Sequence, residues 1–151
     1  MCGRTSTTGK HPDLADELVH SAEVDLIAKG NVERTEWLNV IGRDSPFHEE
    51  FGYYADPVDE TTAMLPRGWK ARLVNLPPGD TDGCAVKGLD PHDLAIAKYV
   101  ARRDKDIAFT RELARRGVVD AERLLALLDK TPVAEDVRQR IRAHIAADFS
   151  R

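Results

Sequence analysis

The chain has 151 residues, 42% hydrophobic and 32% charged, with a formal charge of −4. That composition suits one domain, 1–151, built on a single core, and no stretch approaches the roughly 18 apolar residues a membrane-spanning helix needs. The first residues, Met1 to Ser6, lack the apolar centre of a secretory signal, and two cysteines, Cys2 and Cys84, are too few for a disulfide-stapled exported domain. The expected place is therefore the cytoplasm, away from any membrane, with both thiols free.

The charge is unevenly spread: residues 1–97 carry nine basic against seventeen acidic side chains, and residues 98–151 carry thirteen against nine. A basic helical half could receive a polyanion such as a nucleotide or an RNA end, or its helices could simply carry solvated Arg/Glu surfaces. The five histidines are scattered, and none falls at the spacing of a zinc site.

In chain order, Leu14, Ala15, Leu18 and Val19 predict a short amphipathic helix, and Val24 to Ala28 a strand closed by Lys29-Gly30-Asn31. Trp37, Leu38 and Ile41 stand at helical spacing in a segment from Glu33 that ends at Gly42. Asp44-Ser45-Pro46 reads as a capped turn, and Phe51 to Pro57 as a strand-like run. Four of the nine aromatics fall between Phe47 and Tyr54, as a core patch or a base-stacking platform. Alternation from Trp69 to Leu76, a turn at Pro77 to Gly83, and Cys84 to Leu89 predict a hairpin. Asp90-Pro91-His92-Asp93 starts a helix well, with Asp as cap and Pro at the first position. Helices follow from Pro91 to Arg103, Asp104 to Arg116, Asp120 to Leu128, and from Thr131-Pro132 to Phe149. The mixed α/β part is thus residues 1–89 and the helical part 90–151.

Three groups carry candidate chemistry. Glu23 and Asp25 stand at i and i+2 of the first strand, a spacing that lets both carboxylates reach one divalent cation, although exposed strand faces commonly show the same pattern. Lys98, Arg102 and Lys105 would form one positive stripe on a continuous helix, fit to grip a triphosphate. The alternative is a solvated face, with Lys98 near Asp93 and Arg103 near Asp106. Gly3 to Ser6, followed by Gly9-Lys10, could cradle a phosphate with backbone amides but has the wrong spacing for a P-loop, and an ordinary terminus reads as well. No Ser/His/Asp or Cys/His grouping suggests a nucleophile.

The blocks Ser45-Pro46-Phe47-His48-Glu49-Glu50-Phe51-Gly52-Tyr53-Tyr54-Ala55 and Leu89 to Asp106, continued by Ala114 to Val119, resemble an uncharacterised bacterial family of nucleotidyltransferase-like proteins. That family is similar to the AbiE-type toxin nucleotidyltransferases, with their toxin-antitoxin association. The resemblance implies a Gly-Ser element at Gly3 to Ser6, a metal pair at Glu23 and Asp25, a helical lysine at Lys98 and a final Arg-x-Lys-Asp segment at Arg103 to Asp106. Relatives carry a hydrophobic strand before the Gly-Ser element, so an N-terminally truncated sheet is expected here, and Glu23 stands where the first aspartate is usual.

The expected fold is α+β: a small mixed sheet of three or four strands completed by a C-terminal helical bundle. The expected function is transfer of a nucleotidyl group from a nucleoside triphosphate to a protein or RNA acceptor. Magnesium would sit on Glu23 and Asp25; Asp25, Lys98 and Asp106 would serve catalysis, and Gly3, Ser6, Lys98, Arg102 and Lys105 nucleotide binding. The competing reading is a non-catalytic module of the same fold that binds a nucleotide or a protein. An exposed sheet edge would allow a homodimer.

Overall fold

The structure, a computed structural model, describes residues 23–26, 38–52, 54–57, 63–75 and 87–150. It forms two compact units, 1–62 and 63–151. The helix expected at residues 14–19, the start of the one at 33–41, the turn at 77–83 and both cysteines lie outside the described residues.

In the first unit, β1 (Glu23–Leu26) pairs in parallel with β2 (Tyr54–Pro57). Between them come a 3-10 turn at Leu38–Ile41 and the short helix α1 (Pro46–Phe51). The sequence explains α1 locally: the Ser45 hydroxyl accepts from the His48 N–H at 3.2 Å, Pro46 holds the first position, and Gly52 closes the helix at φ 75°. Tyr54 is buried on β2, where its ring meets His48 at 4.8 Å and the Arg43 guanidinium at 4.9 Å, and its hydroxyl accepts from Arg43. The aromatic cluster is thus only partly core: Phe47 and Phe51 stack with centroids 4.7 Å apart, but Phe51 is exposed.

The second unit opens with a 3-10 turn at Trp69–Arg72, then β3 (Val74–Asn75) antiparallel to β4 (Lys87–Gly88). The hairpin therefore forms, but most of the Trp69–Leu76 alternation does not become strand. Gly68 at φ 80° turns the chain, and the tight helix that follows aims Arg72 at Asp93, donating from Nε at 2.8 Å and Nη2 at 2.7 Å. The same guanidinium reaches the carbonyls of Pro66 and Arg67, and the buried Asp93 raises its pKa further. A buried carboxylate in search of a partner outweighs a two-residue periodicity.

Four helices complete this unit: α2 (Pro91–Ala101), α3 (Asp104–Arg115), α4 (Ala121–Leu128) and α5 (Glu135–Phe149). Asp90 and Asp120 cap α2 and α4 through the N–H groups of His92 and Arg123. Gly117, at φ 66°, follows α3. The fourth helix begins at Glu135, later than Thr131-Pro132 suggested, because the buried Thr131 hydroxyl donates back to the Leu127 carbonyl at 2.9 Å. Arg138 then donates to the carbonyls of Leu128, Thr131 and Val133, tying the turn after α4 to the start of α5. α2 touches the other three helices, and Ile96, Leu124, Leu128, Ile141 and Ile145 fill the space between them.

The architecture is α+β and mostly helical. In place of one mixed sheet of three or four strands, the described residues hold two separate two-stranded ladders. No helix among them is long and apolar enough to cross a membrane.

Candidate functional site

Backbone pairing defines the acidic site of the first unit. Register partners are Glu23 with Tyr54 and Asp25 with Asp56, so β2 brings a further acidic position beside Asp25, with Glu23 two residues back along β1. β2 is held for this by the buried Tyr54, itself fixed by Arg43 and His48 on the preceding turn and helix. Carboxylate oxygens are the donor set that a hard divalent cation takes. Among the described residues no three His, Cys, Asp or Glu side chains gather around a metal position, so the acidic site stands as a juxtaposition of backbone positions. Asp56 escaped the sequence reading because parallel register between strands some thirty residues apart leaves no local signal.

In the second unit Lys98 and Asp106 do come together. Asp106 is buried at the N-terminus of α3 and accepts from the Arg103 backbone N–H at 3.1 Å and from its guanidinium Nε at 2.8 Å; Lys98 Nζ lies 3.5 Å away. Burial works to raise the pKa of this carboxyl, but the Arg103 hydrogen bonds and the Lys98 charge outweigh it and hold it below the usual range. Arg103 pairs with Asp106 as the alternative reading had it, but around a buried carboxylate and not on a solvated face. Lys98 does not meet Asp93, which is taken by Arg72.

The expected stripe of Lys98, Arg102 and Lys105 on one helix is not formed. α2 ends at Ala101, Arg102 takes a left-handed conformation at φ 54°, and Lys105 lies in the first turn of the next helix. Lys98 and Arg102 still face one cleft of about 140 Å³, together with Tyr99, Arg111, His144 and Asp148, among others. Lys105 is not part of its lining. Tyr99 donates its hydroxyl to Asp148 at 2.9 Å, and burial, reinforced by that carboxylate, pushes the phenol pKa up. His144 and Asp148 stand at i and i+4 of α5 beside the buried Ile141 and Ile145, a spacing the sequence displays but to which the reading gave no role. Gly3 and Ser6 lie outside the described residues.

A family model described as a nucleotidyltransferase of unknown function (DUF6036) matches residues 18–150. The chain belongs to that family. No curated protein and no solved structure matches it.

Proposed function

We propose that the chain is a magnesium-dependent enzyme that transfers a nucleotidyl group from a nucleoside triphosphate to a hydroxyl of a protein or RNA acceptor, in the manner of AbiE-type toxins. The observation that carries the reading is the acidic trio of strand positions Glu23, Asp25 and Asp56, which the β1–β2 register makes neighbours. Carboxylates are the kind of oxygen donor that magnesium takes, and the ion, held there, would supply charge neutralisation for the phosphates and alignment of the α-phosphorus. In the reaction the acceptor oxygen forms the new bond to that phosphorus, the bond to pyrophosphate breaks, and the acceptor proton leaves to a carboxylate or to water. Lys98, Arg102 and Lys105 are the phosphate-binding candidates of the second unit, and Asp106, through its contact with Lys98, is a positioning residue.

The test incubates the protein with magnesium, labelled nucleoside triphosphates, and RNA or protein acceptors. Transfer that requires magnesium and disappears in Asp25→Ala is the expected result, with Asp56→Asn lowering the rate about a hundredfold or more. Nucleotide binding that leaves no labelled product under any condition would establish the non-catalytic module instead.

A further inference from the structure

The cleft between α2, α3 and α5 has a charge balance that its own structure leaves unsatisfied. Its lining holds three permanent cations, Lys98, Arg102 and Arg111, and the imidazole of His144, against one carboxylate, Asp148. The carboxylates nearest these cations already have better partners. Asp106 is served by the backbone and guanidinium of Arg103, with Lys98 farther off at 3.5 Å. Asp148 takes the Tyr99 hydroxyl at 2.9 Å and leaves Arg111 at 3.6 Å, beyond a direct hydrogen bond. Arg102 and His144 have no carboxylate partner among the described residues. Lys98 and Arg111 thus stand within ion-pair distance of Asp106 and Asp148 without a direct hydrogen bond, and each keeps N–H donors for a further anion in the cleft.

The chemistry follows from charge and size. Three cations against one carboxylate leave an excess of two positive charges, that of a phosphate dianion's complement. A volume of about 140 Å³ is the share of four or five waters, and it falls well below the several hundred Å³ of a site that encloses a whole nucleotide. Thr110 also lines the cleft, its hydroxyl donating to the Ile107 carbonyl at 3.2 Å, beside the apolar side chains of Ile107 and Ala147. We propose that this cleft is a binding site for a single terminal phosphate group, a phosphate monoester, gripped by Arg111, Arg102, Lys98 and His144. The proposal shares Lys98 and Arg102 with the reading above but does not depend on the carboxylates of β1.

Titration with inorganic phosphate, followed by backbone amide NMR shifts, tests it in the full chain. Saturable shifts should centre on Thr110, His144 and Ala147, persist in Asp25→Ala, and weaken at least about tenfold in Arg111→Gln/His144→Gln. Arg102→Gln, at an exposed position, should weaken binding as well and guards against misfolding of the double variant. The source of the phosphate is read from parallel titrations with 5′-AMP and with an RNA oligonucleotide bearing a 5′-phosphate or a 5′-hydroxyl. Preference for the phosphorylated RNA over both its hydroxyl counterpart and 5′-AMP supports an RNA end as the ligand, and equal affinity of 5′-AMP supports a free nucleotide. Absence of localised shifts with every probe, or unchanged binding in the folded double and Arg102→Gln variants, would overturn the site. Loss of nucleotidyl transfer in Asp25→Ala with phosphate binding intact separates the two conclusions.

Discussion

Asp106 shows how one side chain serves stability and a candidate site together. It accepts the Arg103 N–H at the start of α3, balances the Arg103 guanidinium, and stands 3.5 Å from Lys98. Asp106→Ala should destabilise the second unit by about 2 kcal/mol, measured by urea unfolding, because it removes the cap and leaves its donors open. Arg72 is the sharper case, since its partner Asp93 is fully buried. Arg72→Met should cost about 3–5 kcal/mol, and Arg72→Met/Asp93→Leu should recover much of it, because the penalty arises from an uncompensated charge. The Arg103–Asp106 contact was legible because three residues separate the partners at a helix start. The Arg72–Asp93 pair was not, since its partners lie twenty-one positions apart with a hairpin between them.

At the scale of elements, helix starts were the most legible feature. Asp90-Pro91 and Asp120 carry their capping chemistry in the sequence itself, whereas the β1–β2 ladder and its Asp25–Asp56 register depend on a long-range pairing. The α2–α3 junction shows a local rule overridden. Arg102 occupies a left-handed conformation that suits glycine, and its N–H closes α2 on the Lys98 carbonyl at 2.9 Å. Arg102→Gly should therefore stabilise the fold by about 0.5–1 kcal/mol in urea unfolding while weakening phosphate binding at the cleft. A stabilised protein that binds phosphate less well would show the strain to be retained for the charge.

Among the described residues several carboxylates have pKa values lowered in the folded state, and these should set the acid limit of stability. Burial raises the Asp90 pKa, but the His92 and Arg123 contacts more than reverse this; Asp120 is lowered chiefly by the Arg123 N–H, and Glu112 is brought to about 2 by Arg115 and Arg116. Depressed folded values stabilise the protein above the unfolded pKa and lose that contribution as pH falls through the folded pKa. The melting temperature should hold steady above the normal carboxylate range near 4 and drop as pH falls from there toward about 2, as differential scanning calorimetry can follow. In the helical unit, Leu128→Ala should cost about 2–5 kcal/mol, since Leu128 is fully buried among the helices. The bundle was foreseeable from apolar spacing and caps; the phosphate cleft was not, because its cations come from three helices whose facing sides only packing defines.

His92 joins the two best-capped helices. Its Nδ1 lies 3.1 Å from the Asp90 carboxylate at the start of α2, its Nε2 3.1 Å from that of Asp120 at the start of α4, and Arg123 reaches back to Asp90 at 2.7 Å. Neither helix start can fray without releasing a group that closes the other. The amides of His92 and Arg123, thirty-one positions apart in places of ordinary early fraying, should then exchange their hydrogens with solvent in one shared opening event. In His92→Ala they should exchange independently and faster.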